Sequence, residues 1–277
     1  MALLAGYNKT PADLQEYVQA FKQWYVKQPH LPKQELYNIV LECCKQIYDN
    51  YLSARNKMAE FLMNRDPCSE EIVNAFKSNR LAVLPRLTPD KFRVTIQIWS
   101  LLSAIKVCIM SGEYRVRNDV LLGEHVVFDV EDWPLPALAH CPPALVAKSL
   151  SYITSCAGAK MKGLHIVNPP SYLLPIVELV KISIKPKLAK RVKLYENYEQ
   201  LFKVLPKTMF PKDFGGDEPT LNEISDLWIK TFQAPGWRRW FIEQDQVLVD
   251  ESKRSNKSTA FDDILGAEGF FRNMDID

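Results

Sequence analysis

Three short apolar runs separated by helical stretches constrain this 277-residue chain more than any other feature. His125 to Val130 reads HVVFDV, Gly163 to Asn168 reads GLHIVN, and Arg191 to Tyr195 reads RVKLY. The first two are continuous apolar runs, as parallel strands covered on both faces tend to be. A helical stretch from Pro142 to Cys156 separates the first pair, and one from Ser171 to Ile184 precedes the third. Strand, helix, strand, helix, strand is the grammar of an α/β fold with a parallel or mixed sheet. Upstream, Arg93 to Trp99 alternates, with Val94, Ile96 and Ile98 on one side and Arg93, Thr95 and Gln97 on the other. That spacing predicts a half-buried strand.

Helices flank this central part. Thr10-Pro11 forms a cap with proline at the first helical position, and Leu14, Tyr17, Val18, Phe21, Trp24 and Tyr25 then mark one apolar face. Further helices are expected over Lys33 to Gln46, over Asp49 to Arg65 with Asp66-Pro67 as the stop, and over Ser69 to Asn79. Toward the C-terminus, Thr220 and Glu223 form a capping box ahead of Leu221, Ile224, Leu227, Trp228 and Phe232. Residues 250–258 are polar enough to predict a mobile stretch.

Several function classes are disfavoured. A net charge of +2 gives no general attraction to nucleic acid. No run reaches the roughly 18 apolar residues of a membrane span, and the first residues turn polar too soon for a secretory signal. The cysteines at 43, 44, 68, 108, 141 and 156 show no C-x-x-C spacing and read as reduced thiols in a cytosolic chain. No metal site is expected with only four histidines. Glycine-rich dinucleotide and phosphate loops and the G-x-S-x-G elbow are all missing. Asp129, Glu131 and Asp132 cluster after a strand, where α/β enzymes place chemistry, yet no histidine motif or glycine loop accompanies them; a loop anchor or helix cap is the simpler role. The expectation is a non-enzyme that needs no cofactor. WRRWF at 237–241 reads as a packed surface rather than a nucleic-acid platform.

The stretch from Lys160 to Tyr198 is unusual. Asn168-Pro169-Pro170 ends a strand, because proline cannot donate to the ladder. The helix that follows carries Tyr172, Leu173, Leu174, Ile176, Val177, Leu179, Val180, Ile182 and Ile184. Its polar residues, Ser171, Glu178, Lys181 and Lys185, make only a narrow stripe, far less than a surface helix shows. Such a helix is buried in a core, lines an apolar ligand cavity, or meets a membrane surface. From Lys181 to Lys193 come six basic residues and no acidic one. Each basic side chain near an anionic membrane contributes about 1 kcal/mol, so the run is suited to reversible docking.

In this order, FDVEDWPL (128–135), KGLHIVNPPSYLLPIVELVKISIKPKLAKRV (162–192) and LPKTMFPKDFGGD (205–217) resemble the CRAL-TRIO lipid-transfer family. The helical start, LPKQELYNIVLECCKQIYDNYLSARNKMAEFLMNRDP (31–67), looks like the family's N-terminal domain, and NRDP with VLPRLTPDKFRV is most like arthropod members. The resemblance implies an N-terminal helical domain over 1–76, a lipid-binding domain over 77–235 whose sheet floor and helices enclose an apolar cavity, and a C-terminal helix and mobile tail over 236–277. It implies a monomeric cytoplasmic carrier, transiently membrane-associated, for one retinoid, carotenoid, tocopherol or similar lipid. Pocket walls are expected from Ile96, Ile98, Phe128, Val130, Ile166 and Val167. A mobile gate is expected over Ser171 to Ile184, presenting Tyr172, Leu173, Ile176, Val177, Leu179 and Val180. Phosphoinositide-binding positions of the family fall on Lys160, Lys162, Lys187 and Arg191; another falls near Cys44. The connection after Trp99 is shorter than in the family, so a phosphoinositide-dependent membrane adaptor with a degenerate cavity stands as the alternative.

Overall fold

The computed structural model of the chain describes residues 44–98, 103–119, 122–131 and 160–253, with Gln23, Lys27, Trp133, Leu135, Val146, 148–150, Tyr152 and Ile153. The expected helix over 10–25 lies outside these residues but for Gln23. So do Trp99 and the connection after it, and much of the 142–156 stretch.

Helix α1 (Cys44–Lys57) runs straight through the break expected between 46 and 49; the interruption comes at Met58, before α2 (Ala59–Leu62). Helix α3 (Glu70–Ser78) is capped by Ser69, whose hydroxyl accepts from the Ile72 amide, and it buries Ile72, Ala75 and Phe76 on one face. The expected domain limit between 76 and 77 therefore cuts a helix whose apolar face shares its core with the sheet.

The sheet contains β1 (Arg80–Val83), β2 (Arg93–Ile98), β3 (Glu124–Asp129), β4 (Met161–Val167) and β5 (Val192–Tyr195), in that spatial order. β1 pairs antiparallel with β2 and the other pairings are parallel, so the sheet is mixed. Helix α4 (Ser103–Asn118) joins β2 to β3. A 3₁₀ turn (Ser171–Leu173), α5 (Leu174–Ser183) and α6 (Pro186–Ala189) join β4 to β5. Beyond β5 come α7 (Tyr198–Leu201), α8 (Leu221–Gln233) and α9 (Pro235–Glu243). The Thr220–Glu223 capping box forms as expected.

β2 is not half-buried. Arg93, Thr95 and Gln97 are as hidden as the apolar side. Arg93 grips Asp119 with two hydrogen bonds of 3.0 and 3.1 Å and gives two more to the carbonyls of Leu84 and Pro85. Arg115 of α4 donates to Glu124 at 2.5 Å, and the Thr95 hydroxyl donates to the same carboxylate. The polar alternation thus marks a buried ion-pair layer beneath α4, since buried charges persist only when paired and hydrogen-bonded.

Residues 244–249 are bound rather than loose. The Arg55 guanidinium, 0% exposed, donates to the carbonyls of Gln244 and Val247. The Asn56 amide both donates to the Val249 carbonyl (2.9 Å) and accepts from its N–H (3.2 Å). Asp66 makes a twofold contact with Arg238, at 2.9 Å each. WRRWF is a packed surface, as expected: Phe241 is buried, and the Arg117 guanidinium lies 4.6 Å over the Trp240 ring.

Candidate functional site

The two faces of the sheet follow from strand register. Ile96 pairs with Val127, Ile98 with Asp129, and Asp129 with Val167. Paired residues share a face, and alternation puts Phe128 and Ile166, themselves a pair, on the other. Packing agrees. Ile96 and Val167 lie in the core shared with α3 and α8, with Ile98 packed against it. Val130 and Ile166 lie in a second core with Val177, Val180 and Ile184, against which Phe128 packs. The six expected pocket residues therefore divide three and three between opposite faces. Phe128, Val130 and Ile166 come together beneath α5; Ile96, Ile98 and Val167 do not. Val126, Met161, Leu164 and Val192 complete the α5 side.

Helix α5 lies on this floor. Leu173, Val177, Val180 and Ile184 are buried at spacings of four, three and four residues, one helical stripe. Tyr172 and Ile176 pack beside them, while Leu179 is half-buried and belongs to neither side. The outward side is also apolar in part: Leu174 is 40% exposed and Ile182 72%. A single Glu178–Lys181 ion pair supplies its charge there. The pattern that looked too apolar for a surface helix thus serves two surfaces at once.

The basic positions gather at the N-terminal ends of β4 and β5. These strands are parallel and adjacent, so Lys160 before β4, Lys162 within it and Arg191 before β5 share one edge. Arg191 donates to the Met161 carbonyl, between the two lysines in sequence. The Lys162 ammonium sits 4.2 Å over the Phe92 ring. Lys187 is exposed on α6.

Two polar constellations flank the apolar floor, of which the sequence pointed only to Asp129. On the α8 side of the sheet, His125 Nδ1 and His165 Nε2 are 2.9 Å apart with their rings stacked, and His165 Nδ1 lies 3.0 Å from the Tyr195 hydroxyl. Burial, then the neighbouring His125, pushes His165 down to about 4. Burial and then Lys162 lower His125. Gly163, between the rings, makes this possible: a Cβ there would lie 2.3 Å from His165 Nε2 and 2.7 Å from His125 Nδ1. At the other end of the strands, Asp129 accepts from the Asn168 side chain, the Glu131 amide and the Tyr198 hydroxyl. Burial, then the Asp129 charge, raises the Tyr198 hydroxyl well above its ordinary value. Asp129 is a loop anchor, the simpler of the roles its position suggested. The signal for both constellations was polar residues inside apolar runs.

No group of three or more metal-ligating side chains occurs among the described residues, nor any helix long and apolar enough to cross a membrane. Cys68 is an exposed free thiol, and the Cys108 thiol donates to the Gln97 side chain at 3.0 Å.

A mixed sheet is backed by helices on both sides, with a strand–proline–helix unit over one of them, and part of the chain is similar to known proteins. A CRAL/TRIO domain model matches residues 86–216. The human alpha-tocopherol transfer protein-like protein is 26% identical over 215 residues, covering 69% of this chain and 61% of its own length. Clavesin-1 of Rattus norvegicus is 22% identical over 177 residues, covering 64% of this chain and 46% of its own. The chain thus spans about three fifths or less of these relatives. The crystal structure of Sfh5 superposes with a TM-score of 0.43 at 12% identity, covering 68% of this chain and 76% of that one. The similarity to the CRAL/TRIO domain thus covers just under half of the chain.

Proposed function

We propose that the chain is a carrier, without chemistry of its own, for one hydrophobic small molecule that it exchanges with membranes. The observation that carries this reading is the two-sided apolarity of α5. Its inner stripe covers a sheet face made of Val126, Phe128, Leu164 and Ile166, while Leu174 and Ile182 face outward. A helix that is apolar toward floor and solvent alike suits a lid that swings from cargo to bilayer. Lipid burial at roughly 25 cal/mol per Å² would provide the affinity. A retinoid, carotenoid or tocopherol fits the family; the relative bearing the tocopherol name supports a lipid of that class.

In the same reading Lys160, Lys162, Lys187 and Arg191 dock on phosphoinositide headgroups, and the lipid-binding domain expected over 77–235 also takes in α3, whose apolar face shares its core. Organic extraction of the purified chain should yield a bound lipid, and Lys187→Glu with Arg191→Glu should abolish binding to phosphoinositide vesicles. A chain that is always empty and takes up nothing from liposomes would overturn the carrier reading. A membrane adaptor with a closed cavity is the second reading, favoured by direct packing of Val177, Val180 and Ile184 into the floor core. It predicts the same vesicle binding with no transfer.

A further inference from the structure

Asp129 is a buried carboxylate with an unusual set of partners. Among the described residues no cation contacts it; it accepts three hydrogen bonds instead. One comes from Asn168 Nδ2 at 3.1 Å, one from the Glu131 amide at 3.2 Å, and one from the Tyr198 hydroxyl at 2.9 Å. Asn168 is the residue at which β4 turns toward α5. Its φ is +56°, the left-handed region that asparagine tolerates better than most residues. Its own amide donates to the Tyr195 carbonyl. Pro169 and Pro170 follow, so the chain between β4 and the 3₁₀ turn has little freedom except at Asn168. Tyr198, by contrast, is fixed: its ring stacks on Phe214 at 4.3 Å and packs with Phe202 and Phe210. A second tie holds the same end of the lid, where the Tyr172 hydroxyl donates to the Trp133 carbonyl in the loop that begins at Glu131.

We propose that Asp129 is the positioning residue of the lid: its carboxylate fastens the Asn168 pivot to the immobile Tyr198 and so sets the closed position of α5. The inference rests on the reading of α5 as a moving lid. It assigns Asp129 a role beyond loop anchoring, because the same carboxylate also orders the loop that holds Tyr172. Release of this one acceptor frees both ties at the hinge end, while the apolar stripe from Val177 to Ile184 and the sheet remain in place.

Hydrogen exchange on the full chain tests this. Asp129→Asn keeps the shape but replaces one acceptor oxygen by a donor that cannot receive the Tyr198 hydroxyl. Amides over 171–184 should then exchange about tenfold faster, as expected for a lost hydrogen bond to a charged acceptor, while 124–129 and 161–167 keep wild-type rates. Asn168→Gly, which tolerates the same backbone conformation but lacks the amide side chain, should release the same segment. Uniform acceleration across sheet and lid would reduce Asp129 to a purely structural residue, and unchanged exchange over 171–184 would refute the proposal outright. Should Asp129→Asn not fold, Tyr198→Phe deletes only the donated hydroxyl and reads the same segment by the same criteria. The carrier reading fails separately: a lipid-free chain with a selectively loosened lid would leave the hinge assignment intact.

Discussion

Replacing Gly163 by alanine measures how closely the two stacked histidines control the packing of the sheet. The backbone there is not in the left-handed region, so alanine meets no conformational barrier. Space is the obstacle: the new methyl would sit 2.3 Å from His165 Nε2 and 2.7 Å from His125 Nδ1. Both rings must move, and overpacking of this kind costs about 1–3 kcal/mol. Parting the rings also forfeits their 2.9 Å contact, a further loss of about 0.5–1.5 kcal/mol. Against this, removing a strand glycine returns about 0.5–1 kcal/mol of backbone entropy. The net loss is about 0.5–4 kcal/mol, centred near 2, which lowers Tm by roughly 4–8 °C at that centre in a chain of this size. Thermal unfolding followed by circular dichroism reads it directly. The decisive arm is the double-mutant cycle with His165→Ala. Once the His165 imidazole is gone, His125 Nδ1 alone obstructs the methyl and has vacated space to move into, so Gly163→Ala should cost clearly less than in the wild type. An equal cost in both backgrounds, or no cost in the wild type, would refute the steric reasoning.

Further predictions rest on neighbouring features. His165 is held near 4 against an ordinary 6.5, so the unfolded chain takes up a proton that the folded chain refuses. Its contribution to stability is therefore complete above 6.5 and drains away as the pH falls toward about 4; denaturant titrations across that window should lose part of their slope in His165→Gln. Glu124→Gln leaves the Arg115 guanidinium buried without its counter-charge and should cost about 3–5 kcal/mol in chemical denaturation. Asn56→Ala removes both bonds to Val249, and limited proteolysis should then cut within 244–253 faster than in the wild type.

Much of the fold was legible because strands and caps announce themselves locally. Arg93 to Ile98, the runs near 125, 163 and 191, and the Thr220–Glu223 box all formed within a residue or two of where the sequence put them. What was hidden is what depends on neighbours in space. A continuous apolar run such as Val126-Val127-Phe128 has no alternation to show which residue faces α5, so Ile96, Ile98 and Val167 were grouped with Phe128 and Ile166 until register separated them. Thr95 and Gln97 looked solvent-facing because polarity normally means water, yet Arg115 and Glu124 supply a buried polar layer there. The four-residue β1 is too short to carry a period. The gathering of Lys160, Lys162 and Arg191 was foreshadowed by the resemblance, but only the parallel pairing of β4 with β5 explains why residues thirty positions apart share an edge.

The bond from Arg55 to the Val247 carbonyl spans 192 residues of chain. During synthesis at about 5–20 residues per second, Arg55 emerges roughly 10–40 seconds before its acceptor exists. Until then a guanidinium destined for complete burial has no carbonyls from 244–249 to receive it, and α1 cannot settle into its final place. Residues 244–249 are thus the last of the groups that hold α1 to arrive. A molecule cut ahead of Gln244 would keep the sequence of its sheet and α5 intact and still lack the carbonyls that hold α1.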